Sequence, residues 1–316
     1  MKTLLSVSNP IVVRYGLISS LFLKVRFTAT MDTPYRNIVI ASLLILFSEV
    51  CFAGVSAMIK YLSTDLPQQQ LVFFRNLMAF VVLLPWVVRK GPSAFKSQAW
   101  RWHISRGLAG IVAMYLYFYS IANLPLAQAT IVLLMAPFLI PIISRVWLKE
   151  MVSRQTWLAV AIGFVGVTIF LNPTAQVLSP VLLIAFCGAI LAAYTKTLIR
   201  KMSATESSSK IVFFFAAMAT VITAIPLLWT QQSIASEHWL GLAVMGVCAV
   251  AGQLGMTKAF SLAPAAKVGI FIYSSVIFAA IVGYLFWNEP VTWHMFVGAL
   301  VITSAGYLAL RNRSSG

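Results

Sequence analysis

Residues 124–150 read LPLAQATIVLLMAPFLIPIISRVWLKE, and residues 263–289 read APAAKVGIFIYSSVIFAAIVGYLFWNE. Each opens with a proline at its second position, continues through an apolar run of helix length and ends on a glutamate. The interval from Pro125 to Glu150 equals that from Pro264 to Glu289, 25 positions in both. Upstream, Cys51, Ala53, Ala57, Lys60 and Leu62 stand 136 positions before Cys187, Ala189, Ala193, Lys196 and Leu198. A duplicated half in a chain this apolar points to a transporter.

Composition sets the solvent. Apolar residues make up 60% of the 316 residues and charged residues 9%, and the mean hydropathy is +0.91; no ordinary soluble domain has this balance. Backbone in hydrocarbon must satisfy its own hydrogen bonds, and the apolar runs have the length a helix needs to cross a bilayer, so the chain is an all-α integral membrane protein. A membrane barrel would instead show shorter alternating segments. Ten spans are expected, at 37–60, 70–88, 104–122, 126–147, 156–171, 179–199, 211–229, 239–258, 267–287 and 291–310. Five fall on each side of Asn172-Pro173-Thr174, giving repeats over 36–172 and 178–311.

The net charge of +16 resembles a nucleic-acid footprint until the cations are placed on the spans. Lys and Arg then fall on alternate loops, and the opposite loops, 61–69, 123–125, 172–178, 230–238 and 288–290, contain none. That is the pattern of a membrane protein with both termini cytoplasmic, in the cytoplasmic (inner) membrane, with no nucleic-acid partner. An odd number of spans per half makes the second half enter from the other side, so the repeats are inverted. Inverted repeats give two conformations related by exchanging the roles of the halves, which is the basis of alternating access.

Phe74-Arg75-Asn76-Leu77-Met78-Ala79, Arg106-Gly107-Leu108-Ala109-Gly110, Tyr117-Phe118-Tyr119-Ser120 and Trp147-Leu148-Lys149-Glu150 resemble the first EamA-type unit of the drug/metabolite transporter superfamily. Lys258-Ala259-Phe260-Ser261-Leu262-Ala263-Pro264-Ala265 and Tyr284-Leu285-Phe286-Trp287-Asn288-Glu289-Pro290 resemble the second. The resemblance covers residues 36 to 311. It implies ten helices, a cavity between the repeats, and secondary transport of a small organic metabolite without a bound nucleotide or cofactor. Around Arg75 and Tyr273 it is similar to the branch with S-adenosylmethionine and riboflavin carriers, and amino acids are further candidate substrates. Phe52-Ala53-Gly54-Val55-Ser56 departs from relatives that carry a tryptophan before a Gly-Ser pair, so their substrate contacts do not transfer there. Residues 1–35 fall outside the resemblance and read as an extension without an essential role; Tyr15 to Leu23 is too short to span.

Glu49 stands near the middle of the first span. A carboxylate there costs roughly 2.5–3.5 kcal/mol on insertion scales, so it points to a cavity, a partner or a proton. It lines the path and binds a proton or a cationic group, or it is a packing carboxyl bonded to a neighbouring helix. Arg75, followed by Asn76, is a second intramembrane charge that pairs with Glu49, binds an anionic substrate group or snorkels outward. Arg106 is assigned to orientation, and Lys60 to anchoring at the interface. Tyr115, Tyr119, Tyr194 and Tyr273, with Ser274 and Gln253, are candidate linings, since rings stack on planar solutes or attract cations; packing is the competing role. Pro137 and Pro141 remove two backbone donors from span four, predicting a kink there, a gate or a static bend, that Val276 and Ala280 of span nine lack.

Enzymatic readings find little support. There is no phosphate-binding loop of the Gly-x-x-x-x-Gly-Lys type and no His-Glu-x-x-His zinc pattern. His103, His238 and His294 are scattered, and Cys51, Cys187 and Cys248 lie inside spans without metal spacing, so no metal or catalytic centre is expected. Glu150 and Glu289 read as helix-end residues on opposite faces. The expected partners are a metabolite, membrane lipids and protons. The alternatives are a membrane-embedded enzyme acting on lipids or isoprenoids, and a scaffold that transports nothing.

Overall fold

The computed structural model describes residues 33–123, 134–172, 180–230 and 232–311. The extension up to residue 32, the first part of the fourth expected span and the linker after Asn172 lie outside the described residues. In the first half, Thr33–Leu62 forms α1, Gln68–Lys90 α2, Trp100–Asn123 α3, Ala136–Ile143 α4 and Arg154–Leu171 α5. In the second, Pro180–Met202 forms α6, Ser208–Ala224 α7, His238–Leu262 α8, Ser275–Trp287 α9 and Trp293–Arg311 α10. No strand occurs among the described residues. Among the described residues, seven segments are helices long and apolar enough to cross a bilayer, with shorter apolar helices at Ala136–Trp147 and Ser208–Ala224. Span seven is shorter than its apolar run because Pro226 has no N–H to continue the ladder and restricts the residue before it; only a turn, Leu227–Thr230, follows.

Contacts along the helices fix their directions. A Cβ added to Gly241, near the start of α8, would lie 3.3 Å from Leu62 at the end of α1, whereas Gly252 faces Phe52 and Gly255 faces Ser48. Hence α8 runs antiparallel to α1. Arg200 near the end of α6 donates to the carbonyls of Phe260 and Ser261, 3.2 Å each, near the end of α8. Therefore α6 is antiparallel to α1. As these two helices open the two halves, the repeats are inverted.

Packing follows the same symmetry. Helix α1 lies on α8 as α6 lies on α3, and α1 meets α9 as α6 meets α4, while α2 pairs with α7 and α5 with α10. Lipid offers helices no hydrophobic gain from burying each other, so close packing at small residues must hold them. The α1–α8 seam uses Gly252 and Gly255. On the α5–α10 seam a Cβ on Gly298 would stand 2.6 Å from the Phe170 backbone.

The fourth and ninth spans are both broken. Pro137 occupies the first turn of α4, where its missing N–H leaves no bond unmade, and Pro141 lies inside that helix. A π turn, Ser144–Leu148, follows and ends at Lys149 in the left-handed conformation with φ 56°. The expected contrast with span nine does not hold. Without any proline, that span starts as one α turn, Ala265–Val268, passes through a 3-10 stretch, Gly269–Ser274, and only then becomes α9. Gly269, where the 3-10 stretch begins, sits against Ile140, and an added Cβ there would be 3.2 Å away, so the two broken spans cross closely. Asn288 ends α9 at φ 52°, matching Lys149. The next amide in each case bonds back six residues, Glu150 to Ser144 and Glu289 to Gly283, 3.2 Å each.

Candidate functional site

Glu49 is 4% exposed, and its Oε1 has no hydrogen-bond partner among the described residues. The cation that acts on it electrostatically is Lys196 on α6. Arg106 on α3 is 3% exposed. Its Nη2 donates to Gln253 Oε1 on α8 over 3.3 Å, and its guanidinium lies 4.3 Å from the centre of the Phe215 ring. Because Gly252 and Gly255 oppose Phe52 and Ser48, Gln253 and Glu49 stand at about the same depth. Buried Glu49 of α1, on which Lys196 of α6 acts, and buried Arg106 of α3, bonded to Gln253 of α8, thus draw on two helices of each repeat.

On the side of the Lys/Arg-rich loops this interior is closed by aromatic rings and an ion pair. Tyr194 stacks on Trp147, with centroids 5.3 Å apart, and its hydroxyl hydrogen-bonds with Ser105 over 2.7 Å. The Lys201 ammonium lies 4.3 Å from the rings of both Trp102 and Trp147. Arg200 Nε donates to Glu150 over 3.0 Å. On the opposite side Lys60 pairs with Glu289 and sits 4.5 Å over Trp287. Each ion pair joins the first helix of one repeat to the acid just past the left-handed cap of the other.

A cavity of about 510 Å³ opens near the Lys/Arg-poor face, lined by Gln68, Gln69 and Val72 of α2, Tyr115 and Tyr119 of α3 and Ile184 of α6. Tyr115 is nine residues past Arg106, so this vestibule lies about 14 Å along α3 from the charged interior. Arg75 Nη1 donates to Asn76 over 3.2 Å, and Asn76 is buried. Asn76 belongs to the stretch of α2 that packs near Gly246, which is seven residues toward the Lys/Arg-poor face from Gln253; Arg75 is therefore not the cation beside Glu49.

Tyr273 is fully buried in a cluster with Val160, Val167 and Ile302, its ring against Gly163, and is not brought to Gln253. Ser274 bonds to the Phe271 carbonyl over 2.7 Å. Pro137 and Pro141 are buried at the crossing of the broken spans.

Four residues of this arrangement escape sequence reading as site residues: Arg106, Lys196, Glu150 and Glu289. The repeat offset carried a signal for Lys196, which mirrors Lys60, and for the two glutamates. Arg106 gave none, because one turn inside a span a buried arginine and a snorkelling one look alike. Among the described residues no group of three or more His, Cys, Asp or Glu could hold a metal ion. His103 instead lies 4.0 Å from Glu206, and His238 3.4 Å from Asp65.

Inverted helical repeats enclosing a charged interior define a membrane transport protein. The chain belongs to the EamA-like transporter family, whose model matches residues 39–172 and 179–311. It is 30% identical over 266 residues to the pseudopaline exporter CntI of Pseudomonas aeruginosa, covering 83% of this chain and 93% of that protein. It is 30% identical over 268 residues to the S-adenosylmethionine uptake transporter of Rickettsia bellii (82% and 89%), and 26% identical over 268 residues to the riboflavin transporter of Vibrio cholerae (83% and 89%). A solved structure superposes with a TM-score of 0.73 at 16% identity, covering 89% of this chain and 99% of that one, a likeness of fold.

Proposed function

We propose that this protein moves a small organic metabolite across the cytoplasmic membrane by alternating access between its two repeats. The observation that carries the reading is the burial within the spans of Glu49, on which Lys196 acts, and of Arg106, bonded to Gln253, with an inter-repeat ion pair toward either face. Buried charges are costly and persist where a ligand, a proton or a partner relieves them. The solute enters from the vestibule at Tyr115 and Tyr119. It reaches the charged level and leaves after the Tyr194–Trp147 closure and the Arg200–Glu150 pair open, while Lys60 and Glu289 keep the far side shut. Glu49 carries a proton in one half of the cycle. The Lys/Arg-rich face is cytoplasmic because positive residues resist translocation.

The named relatives support S-adenosylmethionine and riboflavin as candidate solutes, with amino acids alongside them, and they include both an uptake transporter and an exporter. Transport, not catalysis, is the role of the interior. Purified protein in liposomes loaded with unlabelled S-adenosylmethionine, riboflavin or aromatic amino acids tests the reading. Saturable counterflow of a labelled solute is expected; no counterflow of any organic solute, in vesicles with folded protein, would contradict it.

A further inference from the structure

Two of the three histidines meet carboxylates across the repeats, and the two meetings mirror each other. The loops after α1 and α6 are built alike: the Ser63 and Leu66 amides bond to the Ile59 and Leu62 carbonyls, and the Ser203 and Glu206 amides to those of Ile199 and Met202. Asp65 and Glu206 lie in these matching turns. Asp65 Oδ2 stands 3.4 Å from His238 Nε2 at the start of α8, and Glu206 Oε1 stands 4.0 Å from His103 Nε2 in the first turn of α3. Each pair therefore joins the first loop of one repeat to the third helix of the other, one pair at each face.

Their surroundings differ. The side chains of His103 and Glu206 are 1% and 3% exposed, and Ser97 and Lys210 already hold that carboxylate. The Asp65 side chain is 58% exposed and that of His238 10%, so water reaches this pair. His238 Nδ1 has no hydrogen-bond partner among the described residues and lies 4.0 Å from Glu237 Oε1. The other charges on the elements packed nearby are engaged elsewhere: Arg75 of α2 bonds to Asn76 deeper in the span, and Lys60 of α1 is held by Glu289. Residues 221–230, at the far end of span seven, carry no charge. A proton on this imidazole turns a neutral contact into an ion pair with a carboxylate on either side. The turn that holds Asp65 leads straight into the vestibule, since Gln68 and Gln69 line the cavity. Gln70 Nε2 donates to the Gln232 carbonyl over 2.8 Å, and the Gln232 amide donates to Gln70 Oε1 over 3.1 Å. Holding Asp65 to α8 thus holds the α2 wall of the vestibule to the second repeat.

We infer that His238 is a proton-operated clasp between the repeats at the Lys/Arg-poor face: charged, it grips Asp65 and holds the vestibule wall in; neutral, it releases Asp65 and the wall moves freely. Imidazole changes charge in the range of roughly pH 5 to 8. The acidity on that side of the membrane, and not on the other, then sets how readily this face opens. The inference goes beyond the transport reading, because it concerns the state of the face whatever the solute.

The experiment uses the full chain in lipid nanodiscs, with Cys51, Cys187 and Cys248 replaced by alanine and a cysteine placed at Gln69. An uncharged thiosulfonate labels that cysteine from pH 5 to pH 8, and dividing each rate by that of Asp65→Asn at the same pH cancels the titration of the thiol itself. The parent is expected to label about 1.4- to 5-fold more slowly than Asp65→Asn at pH 5 and at about the same rate at pH 8. With His238→Gln in both proteins, the ratio should stay near one throughout. A parent ratio that is the same at both ends of the pH range, or a pH-dependent ratio that persists with His238→Gln, would overturn the inference. Asp65 is more than half exposed, so its replacement leaves the fold intact and the first comparison decides even where His238→Gln does not fold. A pH-dependent ratio in a protein that shows no counterflow would keep the clasp and strike at the transporter, whereas counterflow with a flat ratio would do the reverse.

Discussion

Lys60, near the end of α1, pairs with Glu289, the residue just past the left-handed cap of α9, and so ties the first repeat to the second at the Lys/Arg-poor face. The Glu289 carboxylate rests against Gly283, where a Cβ would collide with it. Arg200 and Glu150 repeat the arrangement at the other face with the repeats exchanged. Two mirror-related pairs at opposite ends are what a two-state rocking mechanism needs, since opening either face requires breaking only its own pair.

Both partners of the Lys60–Glu289 pair are about half exposed, so its strength belongs to the surface class of roughly 0.2–1 kcal/mol. Lys60→Gln or Glu289→Gln should therefore raise the rate at which a cysteine placed at Gln69 is labelled by only about 1.4- to 5-fold. The charge exchange Lys60→Glu with Glu289→Lys should return the rate toward that of the parent. Equal rates in all four proteins would remove the pair from gating.

The Arg200–Glu150 pair is more enclosed, and Arg200 also holds the Phe260 and Ser261 carbonyls. Arg200→Gln loses charge-assisted bonds of about 1.5–3 kcal/mol, so labelling of a cysteine at Ser203 should rise about tenfold or more. Arg200→Lys keeps the charge without the planar fork and should fall between. A Ser203→Cys rate that does not change with Arg200→Gln would contradict this latch.

Glu206 lies in the loop between α6 and α7. Burial by itself would raise its carboxyl, but hydrogen bonds from Ser97 and Lys210, with the Lys210 charge 2.9 Å away and His103 beyond, hold it below its ordinary value of 4.5. A depressed carboxylate stabilises the folded state above its unfolded value, and that stability is lost as pH falls through the folded value. The wild type should therefore lose thermal stability between neutral pH and the acid range more steeply than Glu206→Gln, measured as melting temperature in detergent. Parallel curves would remove the carboxylate from the stability of this loop.

Gly298→Ala would push a Cβ into the Phe170 backbone at 2.6 Å, which cannot yield as a flexible side chain can. A loss of about 1–3 kcal/mol is expected, seen as a lower melting temperature. Gly54→Ala meets only the Cys248 side chain at 3.4 Å and should be close to neutral.

The repeat, the alternation of basic loops and the inverted order of the halves were legible because they are periodic over many residues. Glu49 stood out because a carboxylate in mid-span has few explanations, and its burial is what the structure adds. Span nine was not, since its 3-10 stretch arises where Gly269 meets Ile140, a tertiary contact that local sequence does not display. Proline marks in span four drew attention to the wrong contrast between the two spans. Sequence could not place Tyr273 or Arg106: the deep tyrosine packs in an apolar cluster around Gly163, and the arginine one turn inside span three bonds to Gln253. Composition cannot separate these cases, because each depends on which face of the helix the neighbours leave open.

The most direct measurement of the central claim is uptake of labelled S-adenosylmethionine, riboflavin and aromatic amino acids by proteoliposomes, with and without an imposed pH gradient, for wild type and Glu49→Gln. Alternating access with a proton on Glu49 predicts saturable uptake of one solute that the gradient accelerates in wild type, and whose rate or pH response collapses in Glu49→Gln. A Glu49→Gln protein that keeps both the rate and the pH response would contradict it.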